Sequence, residues 1–249
     1  MQSSVPKFLI CSKGRAGKST TDRLLEEIAV DYAFVVEPQD VNDYKRCLKP
    51  HGSVISLPMD NQGLPYSREF TKNLASSVHK HFVMLDDDII SFSTVKEGKT
   101  KKCSPSVLIK AFDVFKDSGL AMMSFEYQQF AWSQKQKFSI GKSCDCCVFF
   151  DTGKTSSAHY DPVMKLKHDR DICIQVAMLG GKFGRYNGIA ISVPSLGSNE
   201  GGLNSMYKAK EDERCAVLLF KKWGPKVCKL VRKKDGRLDC KIDFKKFFE

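Results

Sequence analysis

Three consecutive aspartates, Asp86-Asp87-Asp88, directly follow an apolar run in this sequence and are its residues best suited to metal chemistry. Carboxylates crowded at the end of a strand repel one another unless a cation joins them. Because side chains alternate along a strand, Asp86 and Asp88 are predicted to share one side and to bind one hard cation together. Mn²⁺ or Mg²⁺ held there would bridge to a diphosphate and stabilise it as a leaving group. The alternative interpretation is a solvated turn with helix-capping aspartates.

A glycine-rich turn, SKGRAGKST beginning at Ser12, is the second segment that could support chemistry. Its backbone N–H groups, together with Lys13, Arg15 and Lys18, could hold the phosphates of a nucleotide. The Walker A pattern of P-loop NTPases needs a glycine five residues before Gly17, and this sequence has Ser12 at that position. The apolar run that leads into the aspartates, Phe82 to Asp87, could still serve as the Walker B strand of a P-loop NTPase. A P-loop NTPase and a purely structural turn therefore stay open as alternatives.

A third cluster, KHDRD beginning at Lys167, opens a predicted helix. Asp169 or Asp171 could act there as the general base that activates an acceptor hydroxyl. Acidic residues in the first turn of a helix also stabilise the helix dipole, and that structural role is the alternative.

Cysteines 144, 146 and 147 form a C-x-C-C pattern. A structural zinc site would need a second pair of ligands at suitable spacing, for which Cys103 and His159 are weak partners. The pattern therefore favours free thiols over zinc.

The elements that must position these residues alternate in the first third of the chain. Apolar runs predict strands at 7–11, 32–36, 53–57 and 81–85, and apolar periodicity predicts helices at 19–30, 40–47 and 66–78. This pattern indicates an α/β fold with a mostly parallel sheet and helices on both faces. Ligands of such sheets bind beyond the carboxyl ends of the strands, so the polar segments after these strands should meet in one crevice.

The remaining chain is more mixed. Helices are predicted at 104–118, 169–180 and 208–223, and strands at 121–125, 146–150 and 186–193. No linker or repeat interrupts the sequence, so we predict a single domain over residues 1–249. Within it, residues 1–90 would form the nucleotide-binding half and residues 91–249 the acceptor half.

Charge and composition limit the partners. The 249 residues carry a formal net charge of +11, which favours anionic partners such as phosphorylated small molecules or nucleic acid. Residues 208–249 contribute 14 Lys and Arg against 7 Asp and Glu, although a solvated basic face explains that excess equally well. No stretch approaches the ~20 apolar residues of a membrane helix. Ten cysteines without an export signal favour reduced thiols and a nuclear or cytoplasmic location, with no membrane partner.

Several spaced motifs occur in order along nearly the whole chain. They are SKGRAGKSTTDRLL, VVEPQDVNDY, LPMDNQGLPYSREF, FVMLDDDI and KHDRDICIQVAMLGG, then Gly201-Gly202, Tyr207, Trp223-Gly224-Pro225 and the terminal DFKKF. Together they resemble the TET-associated glycosyltransferase family. That family includes enzymes that glucosylate hydroxymethylated pyrimidines in DNA, and an animal domain linked to O-GlcNAc transfer to proteins.

The resemblance implies a GT-A fold, a DXD motif and a UDP-sugar donor, UDP-GlcNAc or UDP-glucose, used with Mn²⁺ or Mg²⁺. On the matching positions, the residues expected at the donor are Ser12, Lys13, Arg15, Glu37, Arg68 and Asp87. Asp86 and Asp88 would hold the metal, and Asp169 or Asp171 would be the base. Where the family tends to have Glu-Asp, this chain has His168-Asp169. A histidine can act as a base near neutral pH.

We therefore predict a metal-dependent glycosyltransferase that moves a sugar from a UDP-sugar to a hydroxyl of a nuclear protein. Three alternatives stay open. They are a glucosyltransferase acting on hydroxymethylated pyrimidines in DNA, a catalytically inactive nucleotide-sugar-binding module, and the P-loop NTPase.

Overall fold

Short strands and helices alternate from the start of the chain in the computed structural model, which describes residues 5–134, 136–195, 206 and 209–248. The strands are β1 Phe8–Cys11, β2 Tyr32–Val36, β3 Gly52–Ser56, β4 His81–Asp86, β5 Ser91–Lys96, β6 Lys99–Cys103, β7 Met122–Tyr127, β8 Phe138–Ile140, β9 Cys147–Asp151, β10 Phe183–Ser192, β11 Cys228–Arg232 and β12 Leu238–Ile242. The α-helices are α1 Thr21–Glu27, α2 Val41–Arg46, α3 Leu64–Ser76, α4 Val107–Ser118, α5 Thr152–Thr155, α6 His168–Met178 and α7 Glu211–Trp223.

Ten of the strands form one sheet in the order β3-β2-β1-β4-β9-β7-β10-β5-β6, with β8 paired to β10. The pairs β3–β2, β2–β1, β1–β4 and β7–β10 are parallel. Strand β9 runs antiparallel to both β4 and β7, and it joins the two parallel groups. Strands β1 to β4, β6, β7 and β10 therefore point one way, and β5, β8 and β9 point the other. The predicted α/β fold with a mostly parallel sheet is confirmed.

Both faces of the sheet are covered, as the continuous burial of β1 and β2 requires. Alternation along β1 sends Leu9 to one core and Ile10 to the other. Helices α3, α6 and α7 contribute to the first core, in which the rings of Phe82 and Phe150 stack 4.9 Å apart. Helices α1, α2 and α4 contribute to the second core, around Phe149. The predicted helices on both faces are thus present.

Some local expectations need correction. Helix α1 begins at Thr21 rather than Ser19 and ends at Glu27 rather than near Val30. Asp40 does not cap α2 with its side chain, because the carboxylate accepts a hydrogen bond from the backbone N–H of Gly14 instead. The β5–β6 hairpin was not predicted, and β10 begins three residues earlier than expected.

A C-terminal unit consisting of α7 and the β11–β12 hairpin packs beside α6. Strands β11 and β12 form a separate two-stranded sheet. Cys215 and Leu219 of α7, with Cys228 and Cys240 of the hairpin, are buried in the same core as Ile172 of α6. Within the described part of the chain, no helix is long and apolar enough to cross a membrane.

Candidate functional site

The loops that follow β1, β2 and β3 meet at one edge of the sheet. Lys13, after β1, donates to a carboxylate oxygen of Glu37 at 2.9 Å and to the side-chain oxygen of Asn61 at 2.8 Å. Glu37 follows β2, and Asn61 lies beyond β3. Glu37 is buried, whereas the Lys13 side chain is half exposed. The loops that the strand pattern brings to one edge therefore do meet, and a lysine amine and a carboxylate contact each other there.

Asp87 lies at the centre of this edge and connects β4 to the loop after β1. Its carboxylate accepts a hydrogen bond from the hydroxyl of Ser12 and is 2.6 Å from a guanidinium nitrogen of Arg15. The Ser12 hydroxyl also lies within hydrogen-bond distance of the Tyr44 hydroxyl. Burial raises the pKa of the Asp87 carboxyl, while Ser12 and Arg15 lower it. Asp87 thus fixes the positions of two predicted donor-binding residues.

The N-terminus of α1 is occupied by the backbone of the aspartate cluster. The amides of Thr20 and Thr21 donate to the carbonyl oxygen of Asp87 at 3.0 and 3.4 Å, and the Ser19 hydroxyl donates to it at 2.9 Å. The Thr21 hydroxyl donates to the carbonyl oxygen of Asp86 at 2.6 Å. A P-loop presents such groups to phosphate. Here they are used within the fold, and this geometry disfavours a Walker-type site.

Asp86 and Asp88 face different cations. Arg68 of α3, only 5% exposed, lies 2.5 Å from a carboxylate oxygen of Asp86. Burial alone would lower the pKa of Arg68, but the charge of Asp86 raises it. Arg15 approaches Asp88 at 3.4 Å. Burial raises the pKa of Asp88, and the negative charge of Asp86 raises it more than that of Asp87 does.

The donor chemistry of this pair fits a hard divalent cation. Asp86 and Asp88 supply carboxylate oxygens that are both partly accessible, and a cation would relieve the repulsion between them. Among the described residues, no group of three or more His, Cys, Asp and Glu is arranged to hold a metal. The protein would therefore supply two ligands, and diphosphate and water would supply the others, as is usual for Mg²⁺.

Helix α6 brings the third predicted cluster to the same edge. Lys167, which precedes the helix, adopts a left-handed conformation with φ of 61°. Its buried amine is 2.7 Å from Asp212 and 2.8 Å from Asp239. These ion pairs hold an otherwise unfavourable backbone conformation and so fix the first turn of α6. Asp169, in that turn, is partly exposed and close enough to Asp145 to raise the pKa of that residue.

His168 and Asp171 are both buried. Burial, followed by the positive charge of Arg68, lowers the pKa of His168 to about 4, so the ring is neutral at pH 7. Asp171 is 0% exposed and accepts hydrogen bonds from Trp223 at 2.7 Å, from Lys222 at 2.9 Å and from Gln175 at 2.8 Å. Those bonds anchor α6 to α7. The geometry therefore favours Asp169 over Asp171 and His168 as the residue that meets substrate.

Cys146, which the sequence offered only in a weak zinc pattern, lies beside the aspartates together with Tyr127, Asp145 and Arg185, which the sequence did not single out. The backbone N–H of Asp86 donates to the carbonyl oxygen of Cys146 at 2.7 Å. The sulfur of Cys146 is 3.1 Å from the Tyr127 hydroxyl. Arg185 lies 3.2 Å from Asp145. Burial, helped by the negative charges of Asp169 and Asp86 and opposed by Arg185, raises the pKa of Asp145 to about 6. Asp145 is therefore a further proton-transfer candidate.

The cysteines of the C-x-C-C pattern are dispersed in the fold. Among the described residues, no group of side chains that includes Cys144 is arranged to hold a metal. The backbone N–H of Cys144 donates to the sulfur of Cys173 at 3.5 Å. Cys147 is buried in the second core. The motifs at Gly201-Gly202 and Tyr207 lie outside the described residues.

Comparison with known proteins gives one family match. A family model described as TET-Associated Glycosyltransferase matches residues 7–202. Among solved structures, one similar chain is a CMP:2-keto-3-deoxy-manno-octonic acid synthetase complexed with CTP. It is 9% identical, with 88% of this chain and 100% of that chain covered and a TM-score of 0.46. The comparison with curated proteins gives no match.

Proposed function

Because the chain belongs to the TET-associated glycosyltransferase family, we propose that it moves a sugar from a UDP-sugar to a hydroxyl of a nuclear protein. Family membership makes it a glycosyltransferase. The observation that supports the finer proposal is the crevice beyond β1 to β4, where Arg15 and Arg68 stand beside three clustered aspartates. Cations next to carboxylates that can bind a metal suit a nucleoside diphosphate, which carries negative charge and is commonly bound through a divalent ion.

The donor would lie along the carboxyl ends of the parallel strands. Ser12, Lys13 and Glu37 line the part of the crevice assigned to the nucleoside, and they offer a hydroxyl, an amine and a carboxylate as hydrogen-bonding groups. Arg68 and Arg15 lie beside Asp86 and Asp88, where the diphosphate would meet the metal. Arg15, which is shared between Asp87 and Asp88, would also contact the diphosphate there.

Mn²⁺ or Mg²⁺ would be held by Asp86 and Asp88, and when bound it would neutralise the charge that develops on the departing diphosphate. The remaining chemistry is proton transfer. Asp169 would accept the proton of the acceptor hydroxyl as that oxygen attacks the sugar. The charge of Asp169 also acts on Asp145, whose pKa is raised to about 6, chiefly by burial. The neutral His168 would pack against Tyr160 behind them rather than act as the base.

Two rival activities would bind the same donor and differ in the acceptor or in whether transfer occurs. An acceptor in hydroxymethylated DNA would use the same donor crevice, and the net charge of +11 is compatible with it. An inactive module would bind the donor without transfer. A nuclear or cytoplasmic location follows from the proposed protein acceptor, and no membrane partner is needed.

A thermal-shift screen of UDP, UDP-glucose, UDP-GlcNAc, ATP and GTP, each with Mn²⁺, Mg²⁺ or EDTA, tests the proposal. A ligand at about 100 times its dissociation constant stabilises the native state by roughly 2.7 kcal/mol. We expect a metal-dependent shift with a UDP-sugar, and loss of that shift in Asp88→Asn. Asp235→Asn, at an exposed turn of the β11–β12 hairpin, is the control. Stabilisation by ATP or GTP alone would reject the proposal.

A further inference from the structure

An open cavity lies beside β6, the end of β7 and the end of β10. Tyr127, Gln128, Gln129, Thr100 and the end of β10 line it, and its volume is about 380 Å³. Ser192 on its wall accepts a hydrogen bond from the amide of Ile90 at 2.8 Å, two residues beyond Asp88. The cavity is open to solvent over much of its surface. The lining is mostly polar, and it suits a hydroxyl-bearing side chain.

A basic hairpin, β5–β6, adjoins this cavity through Thr100. It carries four lysines, Lys96, Lys99, Lys101 and Lys102, against one acid, Glu97. All four lysines are exposed, and in the described part of the chain no carboxylate lies within 4.0 Å of their amines. Their charge is therefore not neutralised by the fold. It is available to a negatively charged partner.

Two exposed aromatic rings lie beside the hairpin. Trp132 is 69% exposed and Phe130 is 53% exposed, in the 3-10 helix Gln128–Ser133. Gln128, at the start of that helix, donates to the Thr100 hydroxyl at 3.5 Å, which ties this segment to β6. Aromatic residues are enriched in the centres of protein interfaces. Cavity, lysines and rings thus form one continuous surface.

We propose that this surface docks an acidic, extended segment of the acceptor protein, an inference that rests on the proposed function. The acceptor serine or threonine would enter the cavity, and the flanking acidic residues would contact the hairpin lysines. Strand β6 ends the ten-stranded sheet and pairs with β5 on one side. An edge strand can pair with an extended peptide through its main chain, which a nucleic acid cannot do. That geometry favours a peptide over DNA.

The test compares binding of labelled probes to the parent and to two charge-reversed variants by fluorescence anisotropy. The probes are a peptide with Thr between glutamates, its lysine counterpart, and single-stranded and duplex oligonucleotides. One variant is Lys99→Glu/Lys101→Glu/Lys102→Glu. The matched control, Lys229→Glu/Lys234→Glu/Lys241→Glu, makes the same charge change on exposed lysines of the β11–β12 hairpin.

We expect the parent to bind the acidic peptide, the hairpin variant to lose at least tenfold in affinity, and the control to lose less than twofold. Both variants should keep the thermal shift given by the UDP-sugar, which separates a failure of this proposal from a failure of the donor assignment. Equal loss in both variants, or no binding of the peptide by the parent, would overturn the docking surface. Preferential binding of an oligonucleotide would assign it to nucleic acid instead. If the lysines serve only to keep the edge strand from self-pairing, the hairpin variant will aggregate without any loss of affinity in its monomer.

Discussion

Replacing Asp171 by alanine tests whether its carboxylate holds the fold together or takes part in the reaction. The substitution leaves the indole of Trp223, the amine of Lys222 and the amide of Gln175 without their buried acceptor. Removing one partner of a buried ion pair costs about 3–5 kcal/mol. Lys222 is one-third exposed and can regain water, so we expect the lower end, about 3 kcal/mol. For a chain of this size that loss lowers Tm by about 6–12 °C.

The assay is thermal unfolding followed by tryptophan fluorescence, with sugar transfer measured on the folded protein. Asp169→Asn is the companion variant, because Asp169 is partly exposed and lies two residues away on the same helix. We expect Asp169→Asn to melt within about 2 °C of the parent and to lose about 10²–10⁴-fold in turnover, as removal of a general base does. An Asp171→Ala protein that melts with the parent yet transfers no sugar would refute this assignment of the two residues.

Further predictions concern pH and the loop after β1. The pKa of Asp239 is lowered by its ion pairs with Lys167, although burial opposes this, so its stabilising contribution is present above the unfolded pKa of about 3.9. That contribution is lost as the pH falls from about 4. The urea midpoint of the parent should therefore fall more steeply with acid than that of Asp239→Asn. Parallel plots of the two midpoints against pH would contradict this prediction. Lys18→Ala should keep the UDP-sugar thermal shift, because no part of the proposed donor site depends on Lys18. Arg15→Ala should reduce the shift, since Arg15 holds Asp87 and Asp88. Loss of nucleotide binding in Lys18→Ala alone would favour a P-loop instead.

The first third of the fold was predictable because its strands are continuous apolar runs that end in polar residues. Such runs identify buried parallel strands, and topology then brings their carboxyl ends together. That rule brings the segments carrying Lys13, Glu37, Arg15 and Asp87 to one edge, but the pairing of Lys13 with Glu37 and of Arg15 with Asp87 is known only from the structure. The D-x-D pattern was equally visible in the sequence, but β4 ends at Asp86 and Asp88 lies in the turn that follows, so strand alternation does not place the two side chains. Their role as metal ligands stays a prediction.

The second half was harder for identifiable reasons. The β5–β6 hairpin is rich in lysine and lies at the sheet edge, so it lacks the apolar alternation that marks a half-buried strand. Asp145 precedes an antiparallel strand, β9, and reaches the crevice by that strand's amino end, contrary to the rule for parallel strands. Its position depends on topology and not on any local pattern.

The choice between Asp169 and Asp171 also could not be made from the sequence. Residues two apart on a helix lie on nearly opposite faces, so one of the pair had to face inward. Which one did so depends on where α7 packs, through Trp223 and Lys222. Those two residues are 52 and 51 positions from Asp171 in sequence, and no local periodicity reports such a contact.

The most direct test of the account is sugar transfer itself, measured as UDP released and as mass gained by an acidic threonine-containing peptide in the presence of Mn²⁺. The parent should release UDP and modify the peptide, and EDTA or Asp169→Asn should abolish both. Metal-dependent binding of the donor by the parent with neither UDP release nor mass gain would contradict the account and leave a module that binds nucleotide sugar without catalysis.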